Sequence, residues 1–197
     1  MPALIVATRN DHKLRELREL LPGIELEPLP PGVQLPPEKA QTFSENALGK
    51  ARAAHAATGR AAIADDSGIE AHGLDGRPGV RSARYAGEDA TDEENLSKLL
   101  AEVGAQDDRR VAYVAEIAYV SEDGVESIFE GRCEGTLADQ PRGTGGFGYD
   151  PAFIPDDTGP DDNRTMAELT PEEKNAISHR GRAARELATH LGVEAGP

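Results

Sequence analysis

The spacing of apolar residues predicts that the chain opens with a strand, a tight turn and a helix. Residues 4–7 are a short apolar run, which is typical of a buried strand. Asn10 can cap a helix that Pro22 and Gly23 end. One face of this helix carries leucines at helical spacing, namely Leu14, Leu17, Leu20 and Leu21.

The same pattern continues along the chain and predicts an α/β fold. Strands are expected at residues 24–29, 61–64, 111–120 and 125–137, the last two forming a hairpin. Helices are expected at residues 42–58 and after capping boxes at residues 91–94 and 170–173. Loops are expected at residues 28–37, 72–90, 143–148 and 156–162. Because helices alternate with strands before the hairpin, we expect a mixed β-sheet with flanking helices.

Length and composition narrow the class of protein. A chain of 197 residues is expected to form a single domain spanning residues 1–197. No apolar run approaches the roughly 18 to 20 residues that a bilayer requires, and the apolar start is too short for a secretion signal. The only cysteine, Cys133, excludes a disulfide framework and a thiolate zinc cluster. We therefore expect a cytoplasmic protein that does not enter a membrane.

The net charge argues against nucleic acid as a partner. Lysine and arginine number 21 against 36 acidic residues, which gives a formal charge of −15. A broad surface that follows the phosphates of DNA or RNA would have to overcome this repulsive field. A small anionic ligand is still compatible, because a few cations and a divalent metal can reverse the potential inside one cleft.

Thr8, Asn10 and Lys13 lie where the first predicted strand meets the first predicted helix. Backbone N–H groups and the helix dipole attract anions at such a helix end, and the spacing suits a triphosphate. The segment lacks the GxxxxGK[ST] pattern of a Walker loop. An ordinary capped helix would look the same in the sequence.

Asp65 and Asp66 follow the strand predicted at residues 61–64, at the usual location of ligand crevices in α/β sheets. Adjacent strand residues point to opposite faces, so only one of the two carboxylates is expected to face a site. That carboxylate could bind Mg²⁺ or take a proton from water. The alternative is a plain Asx turn.

Residues 143–148 match GxGxxG, but a dinucleotide site is rejected. Pro151 follows almost at once and the preceding strand belongs to a hairpin, whereas the dinucleotide motif needs a helix there. A glycine-rich loop lets the backbone approach a ligand closely, and Phe147 or Tyr149 could offer a ring face to a base. The alternative is a tight bend with packed aromatic rings.

Lys174, His179 and Arg180 follow the last capping box. On one ideal helix His179 would lie roughly 140° around the axis from Lys174, so the two could not point into one pocket. We therefore predict a break near Ser178, followed by a helix with Ala184, Leu187 and Leu191 on its core face. Donors at such a break suit the 6-keto oxygen of a purine, whereas adenine presents an amino donor there. A row of solvated charges is the alternative.

Six segments taken together resemble the inosine triphosphate pyrophosphatase family, in order from residue 4 to about residue 190. They are Thr8-x-Asn-x-x-Lys13, Thr42-Phe-x-Glu-Asn-Ala47 with Lys50, Ala64-Asp-Asp-Ser-Gly68, Pro78-Gly-Val-Arg-Ser-Ala-Arg-Tyr85, Gly143-Thr-Gly-Gly-Phe-Gly-Tyr-Asp150 and Glu173-Lys-Asn-Ala-Ile-Ser-His-Arg180. The resemblance implies an elongated mixed sheet with two lobes around a central cleft, and a homodimer. It also implies Mg²⁺-dependent hydrolysis of dITP, ITP and XTP to the monophosphate and pyrophosphate.

The resemblance also implies roles for individual residues. Asp66 would be the general base and, with Glu38, would hold the metal. The residues implied to bind substrate are Thr8, Arg9, Asn10, Asp11, His12, Lys13, Lys50, Ser67, Phe147, Gly148, Tyr149, Asp150, Lys174, His179 and Arg180. Thr8, Asn10, Lys13 and Lys50 would lie at the phosphates, and the residues from Phe147 onward would surround the purine.

Two other functions are compatible with the sequence. One is a related pyrophosphatase that acts on other modified nucleotides, such as methylated pyrimidines. The other is a non-catalytic nucleotide sensor, which would bind ITP without releasing pyrophosphate.

Overall fold

The computed structural model describes residues 3–196, and its backbone contacts divide the chain into two compact units. The first unit takes its described residues from Met1–Asp66, Ala115–Gly131 and Arg180–Pro197. The second unit consists of Ser67–Val114 and Arg132–His179. The assignment of residues 1–197 to a single domain stays a prediction, and residues 1, 2 and 197 lie outside the described part.

The secondary structure alternates between strands and helices, as the sequence predicts. The strands are β1 (Leu4–Val6), β2 (Leu26–Pro28), β3 (Ala62–Ala71), β4 (Arg110–Val120), β5 (Glu126–Leu137) and β6 (Phe153–Pro155). The α-helices are α1 (Asp11–Leu20), α2 (Phe43–Thr58), α3 (Asp92–Gly104), α4 (Pro171–Ile177) and α5 (His179–Leu191). None of the helices between residues 3 and 196 is both long and apolar enough to cross a membrane.

The strands form one mixed sheet in the order β2-β1-β3-β4-β5-β6. Strand β1 pairs in parallel with β2 and β3, and β5 pairs antiparallel with β6. Strands β3, β4 and β5 each contribute residues to both units. The predicted α/β class, a mixed sheet with flanking helices, is confirmed.

The first unit carries helices on both faces of its part of the sheet. Leu4 and Val6 of β1 pack with residues of α1 and α5, whereas Ile5 and Ala7 pack with the alanine-rich face of α2. Successive strand residues point to opposite faces, so β1 is apolar throughout because both of its faces are buried. This burial holds the end of β1 and the start of α1 in a rigid setting.

The second unit has its own apolar core, which includes a residue next to the glycine-rich loop. Ile69 of β3, Leu99 of α3 and Phe153 of β6 are fully buried in it, and Tyr149 of the loop joins them. The loop is therefore fastened to a core by a large side chain close to its end.

Strand β3 is longer than the sequence predicts. The prediction ends it at Ala64 because two aspartates follow, but Asp65 and Asp66 lie inside the strand, which continues to Ala71. Charged residues can occupy a central strand when cations neutralise them, and both aspartates have such partners, described below. The placement of the pair at a strand end is therefore wrong.

Two further differences concern short segments. Residues 72–90, predicted as loop, contain 3₁₀ helices at His72–Leu74 and Gly79–Arg84, and β6 was not predicted at all. Elements of three to six residues leave too little periodicity to be recognised in a sequence. The predicted break at Ser178 is confirmed, because this residue is extended between α4 and α5.

Candidate active site

The turn between β1 and α1 holds residues predicted to bind phosphate. Asn10 caps α1, and its side-chain oxygen accepts hydrogen bonds from the backbone N–H groups of His12 and Lys13 at 2.9 and 3.1 Å. Thr8 Oγ1 accepts from the backbone N–H of Asn10 at 3.1 Å. The predicted strand, turn and capped helix are confirmed, while the contact of this turn with phosphate stays a prediction.

Asp65 is the centre of a buried ion-pair network in the first unit. Lys13 Nζ lies 2.5 Å from Asp65 Oδ1, and the side chain of Asp65 is fully buried. Arg180 Nε and Nη2 donate to the two oxygens of Asp65 at 3.0 and 3.2 Å. Arg180 also pairs with Glu16 at 2.5 Å. Two cations therefore share one carboxylate, which fixes the position of both.

The network keeps Asp65 ionised. Burial by itself would raise the pKa of Asp65, but the charges of Arg180 and Lys13 outweigh it and hold this pKa well below its usual range. A carboxylate with so low a pKa is a poor proton acceptor near neutral pH. Of the two adjacent aspartates, Asp66 is therefore the better candidate for a general base.

Lys50 binds both carboxylates that are predicted to hold a metal. Its Nζ donates to Glu38 Oε1 at 2.6 Å, to the backbone oxygen of Asp65 at 2.9 Å and to Asp66 Oδ1 at 3.0 Å. These acceptors match the three N–H donors of an ammonium group. The structure thus brings Glu38 and Asp66 onto one cation, and the contact of Lys50 with phosphates stays a prediction.

The two carboxylates on Lys50 differ in acidity. Burial raises the pKa of Asp66, and the Glu38 charge adds to the rise, although the charges of Lys50 and Lys13 oppose it. Burial also acts to raise the pKa of Glu38, but the charge and hydrogen bond of Lys50, together with the charge of Lys13, outweigh it and lower this pKa. The Glu38 side chain is 36% exposed, against 7% for Asp66, so water helps to keep Glu38 ionised. A raised pKa in a polar cluster suits a group that accepts a proton during a reaction.

The donor set around Lys50 fits Mg²⁺. This hard cation is usually held by one or two carboxylates, and water and substrate phosphate oxygens complete its shell. Glu38 and Asp66 supply two carboxylates that already share a cation. Among residues 3–196 no group of three or more His, Cys, Asp or Glu side chains is placed to hold a metal ion. A metal on this pair would therefore need phosphate oxygens and water as its other ligands.

Residues predicted to surround a purine meet at Asp150 in the second unit. Lys174 Nζ donates to Asp150 Oδ2 at 2.8 Å, and the backbone N–H of Phe147 donates to the same oxygen at 2.9 Å. The ammonium of Lys174 also lies 5.2 Å from the centre of the Phe147 ring, within the range of a cation–π interaction. Asp150 is almost fully buried, and its carboxylate holds both Lys174 and the backbone of Phe147 in place.

Tyr113 of β4 connects His179 to this cluster. The rings of Tyr113 and His179 are stacked, with centroids 4.5 Å apart and planes 10° apart. The Tyr113 hydroxyl donates to Asp150 Oδ1 at 3.0 Å, and its ring also contacts Phe153 at 4.5 Å. One tyrosine therefore positions both a predicted base contact and the acceptor that holds Lys174.

The end of the glycine-rich loop is tied to two other segments of the second unit. The backbone N–H of Gly148 donates to Asp92 Oδ2 at the start of α3, at 2.8 Å. The hydroxyl of Tyr149 donates to the backbone oxygen of Ser82 at 2.6 Å, and burial raises the pKa of this phenol. Tyr149 is therefore an anchor of the loop, whereas the less buried Phe147 has more ring surface to offer a ligand.

The positions of the other five residues predicted to bind substrate say little about that role. Arg9, Asp11 and His12 are exposed, and Arg9 donates to the backbone oxygen of Val33 at 2.7 Å. Ser67 is partly buried within β3. The side chain of Arg180, predicted to contact the purine, is 2% exposed, and its guanidinium is bound to carboxylates. The substrate contacts of all five stay predictions.

Three residues of these clusters were missed by sequence reasoning as functional candidates. They are Glu16, which pairs with Arg180, Asn46, which donates to Asp66, and Tyr113, which donates to Asp150. Glu16 lies one helical turn beyond Lys13, and Asn46 lies inside a motif used for the family resemblance, so both had a signal in the sequence. Tyr113 had none, because an aromatic residue in an apolar strand is indistinguishable from ordinary core.

Comparisons with known proteins show which proteins this chain is similar to. The model of the Ham1 family matches residues 4–190 of the chain. A dITP/XTP pyrophosphatase of Geobacter sulfurreducens is 49% identical, over 98% of this chain and 98% of that protein. A dITP/XTP pyrophosphatase of Symbiobacterium thermophilum is 50% identical, over 95% of this chain and 94% of that protein. The solved structure of a HAM1 protein from Coxiella burnetii superimposes with a TM-score of 0.86 at 43% identity, covering 98% of this chain and 99% of that one.

Proposed function

Because the chain belongs to the Ham1 family, as its resemblance to the inosine triphosphate pyrophosphatases predicted, we propose that it hydrolyses non-standard purine nucleoside triphosphates. The substrates are dITP, ITP and XTP, and the products are the nucleoside monophosphate and pyrophosphate. Such an enzyme is a hydrolase acting on acid anhydrides, and it removes damaged purines from the nucleotide pool. The observation that carries the proposal is the buried Asp66 held on Lys50 beside Glu38.

The reaction proceeds from a water molecule that Asp66 activates. The water oxygen attacks the α-phosphorus in line as its proton passes to Asp66, and the bond from the α-phosphorus to the α,β-bridging oxygen breaks. Pyrophosphate leaves with the electron pair of that bond. The raised pKa of Asp66 supports this role, because a more basic carboxylate accepts a proton more readily.

Residues of the turn between β1 and α1 bind the triphosphate. Lys13 offers a cationic side chain, and the start of α1 adds the positive end of a helix dipole. Thr8 contributes a hydroxyl in the same turn. The lysine and the helix dipole offset part of the charge of a tetraanionic substrate in a chain that is otherwise strongly negative, and the hydroxyl can donate a hydrogen bond to a phosphate oxygen.

Glu38 and Asp66 are the residues that would hold Mg²⁺ in this reaction. When bound, the ion supplies charge neutralisation of the phosphoryl oxygens. Before a metal binds, Lys50 holds the two carboxylates close together and offsets their negative charge.

Residues around Asp150 recognise the purine. Lys174 and His179 are held in place by Asp150 and Tyr113, so their donors are preorganised. A 6-keto oxygen can accept from such donors, whereas the 6-amino group of adenine leaves them unpaired, which costs roughly 1 to 3 kcal/mol per buried group. This difference accounts for the rejection of ATP.

The proposal extends to a homodimer located in the cytoplasm. The homodimer comes with the family resemblance, and the cytoplasmic location is supported by the single cysteine, which suits a reducing compartment.

The direct test measures pyrophosphate release from dITP, XTP, dGTP and dATP with Mg²⁺ present. We expect turnover of dITP and XTP and little of the other two. The variant Asp66→Asn should lower kcat for dITP by roughly 10²- to 10⁴-fold, the usual contribution of a general base, while dITP binding stays measurable by calorimetry.

A matched control for this test is Asp123→Asn, which makes the same change at an exposed position in the turn between β4 and β5. It should leave kcat unchanged. An Asp66→Asn enzyme with wild-type kcat would remove Asp66 from the reaction. Preference for methylated pyrimidines in the panel, or binding of dITP without any pyrophosphate release, would replace the proposed function with one of the two alternatives.

A further inference from the structure

Asn46 of α2 is a buried amide that touches two parts of the first unit at once. Its side chain is almost fully shielded from solvent, as is that of Asp66. Asn46 Nδ2 donates to Asp66 Oδ2 at 3.1 Å. Asn46 Oδ1 accepts from the backbone N–H of Ala40 at 3.1 Å. A buried amide with both ends hydrogen-bonded links the two segments more firmly than an apolar contact could.

The start of α2 sets the direction of this side chain. Thr42 caps the helix by accepting from the backbone N–H of Glu45 at 3.3 Å, so Asn46 lies in the first full turn. Side chains of a helix point toward its N-terminus, which here is the loop that contains Ala40. The position of Asn46 is thus determined by a regular helix and not by a mobile segment.

Asn46 and Lys50 together determine how Asp66 is oriented. They lie four residues apart on one face of α2, and they bind different oxygens of Asp66, Oδ2 and Oδ1 respectively. A carboxylate gripped at both oxygens cannot rotate freely, although it retains lone pairs for a further partner. Helix α2 therefore fixes the plane of the carboxylate that the proposed reaction uses.

The second hydrogen bond of Asn46 restrains the loop that carries Glu38. Ala40 lies two residues after Glu38, in a segment without regular secondary structure between β2 and α2. The Glu38 side chain is the most exposed member of the Lys50 cluster. Tying Ala40 to a helix shortens the stretch over which Glu38 can move, and this lowers the entropy lost when it binds a ligand.

We propose that Asn46 is a positioning residue for the divalent metal, orienting Asp66 with its amide nitrogen and restraining the Glu38 loop with its amide oxygen. This inference rests on the proposed function for the identity of the metal ligands. An amide performs both tasks without adding a third negative charge to the pair of carboxylates. Groups behind metal ligands typically change metal affinity or activity by roughly 10- to 100-fold when they are removed.

The test compares the wild-type chain with Asn46→Ala in two measurements. The first is titration with Mn²⁺ alone, followed by the electron paramagnetic resonance of the free ion. The second is the Mg²⁺ concentration that gives half-maximal pyrophosphate release from dITP. We expect Mn²⁺ affinity to fall roughly 10- to 100-fold and the half-saturating Mg²⁺ concentration to rise by a similar factor.

Asn95→Ala is the matched control. Asn95 is similarly buried and likewise uses both ends of its amide, but its two partners are backbone groups of the second unit. It donates to Ala83 O at 3.1 Å and accepts from Ala86 N at 2.8 Å. Its loss should lower the melting temperature much as the loss of Asn46 does. It should leave Mn²⁺ affinity and the Mg²⁺ dependence at their wild-type values, which separates a general loss of stability from a loss of positioning.

Ala40→Pro separates the two hydrogen bonds of Asn46. Proline lacks the backbone N–H, so this variant frees the loop and leaves the bond from Asn46 to Asp66 in place. We expect weaker Mn²⁺ binding than in the wild-type chain but tighter binding than in Asn46→Ala. The variant also provides the test if Asn46→Ala fails to fold.

The outcomes distinguish this inference from the proposed function. Wild-type Mn²⁺ affinity in both Asn46→Ala and Ala40→Pro would overturn the role of Asn46, even if dITP is hydrolysed normally. A wild-type chain that releases no pyrophosphate from any purine triphosphate would instead overturn the proposed function. The Mn²⁺ titration would still decide whether Asn46 supports a metal site.

Discussion

Two adjacent aspartates of one strand have opposite properties because their partners differ. Asp65 is paired with Lys13 and Arg180, and its pKa is lowered, whereas burial raises the pKa of Asp66 next to the shared Lys50. Neighbours in a strand face opposite sides, so each carboxylate meets a different set of cations. Asp65 therefore stabilises the fold, and Asp66 remains the candidate that accepts a proton in the proposed reaction.

Removing the charge of Asp65 should destabilise the protein. Asp65→Asn removes the buried carboxylate that Lys13 and Arg180 share and leaves Arg180 with Glu16 alone, and breaking a buried pair in this way costs about 3 to 5 kcal/mol. Urea unfolding at pH 7 measures this loss. The control is Glu126→Gln, which breaks the exposed pair with Arg52 and should cost less than about 1 kcal/mol.

The effect of Asp65→Asn should depend on pH with a defined sign. The pKa of Asp65 in the folded state lies below its ordinary value of 3.8, so its ionised form stabilises the fold above that pH, and the contribution is lost as pH falls further. The difference in stability between wild type and variant should be complete at neutral pH and shrink below about pH 3.8. A difference that grows on acidification would contradict the ion-pair account.

At the scale of elements, the glycine-rich loop is shaped to fit around Asp150. Gly146 adopts a left-handed φ of +69°, and a Cβ there would overlap Asp150 Oδ2. The carboxylate occupies that space because it accepts from Phe147 N and Lys174 Nζ. The loop and the start of the C-terminal helices are thus fitted to each other through one side chain.

Gly146→Ala should impair recognition of the base. The added methyl group displaces Asp150 and so releases Lys174, and we expect kcat/KM for dITP to fall at least about tenfold, equivalent to about 1.4 kcal/mol. Steady-state kinetics with dITP provide the measurement. The left-handed backbone adds a stability cost of about 1 kcal/mol.

Gly124→Ala isolates the backbone part of this effect. Gly124 has a φ of +80° in the turn between β4 and β5. Apart from its two chain neighbours, none of the described residues has an atom within 4 Å of the position that an added methyl group would take. This variant should lose only the backbone part of the stability, about 1 kcal/mol, and keep wild-type kcat/KM. If both variants lose kcat/KM equally, the contact between Gly146 and Asp150 is not what shapes the site.

At the scale of the whole molecule, the charge of −15 opposes the association of two copies. Repulsion between exposed charges weakens as salt shortens the screening length, from about 30 Å at 0.01 M to about 10 Å at 0.1 M. The proposed homodimer must therefore be held by contacts strong enough to outweigh this repulsion, and its stability should depend on salt.

Sedimentation equilibrium at low and moderate salt tests the homodimer. We expect a species of twice the chain mass of 20.9 kDa, with a dissociation constant that falls as salt rises. A chain that stays monomeric at micromolar concentration in moderate salt would remove the dimer from the proposal. Tighter association at low salt would show that the two faces are complementary in charge.

The sequence by itself determined the local features of this protein. The cap of Asn10, the alanine-rich helix α2 and the break at Ser178 follow from signals within a few residues of each site, and all are present in the structure. The order of the motifs also identified the family. These features are readable because capping, periodicity and turn chemistry act between near neighbours in the chain.

Only the tertiary structure decided which charges meet. Asp65 and Arg180 are separated by 115 residues in the sequence, and Asn46 and Asp66 by 20 residues, so no local sequence pattern predicts either contact. The same contacts let β3 run through two aspartates where the sequence predicts its end. Pairing of buried charges depends on distances in space, because burying a charge away from water costs free energy unless a group of opposite charge lies beside it.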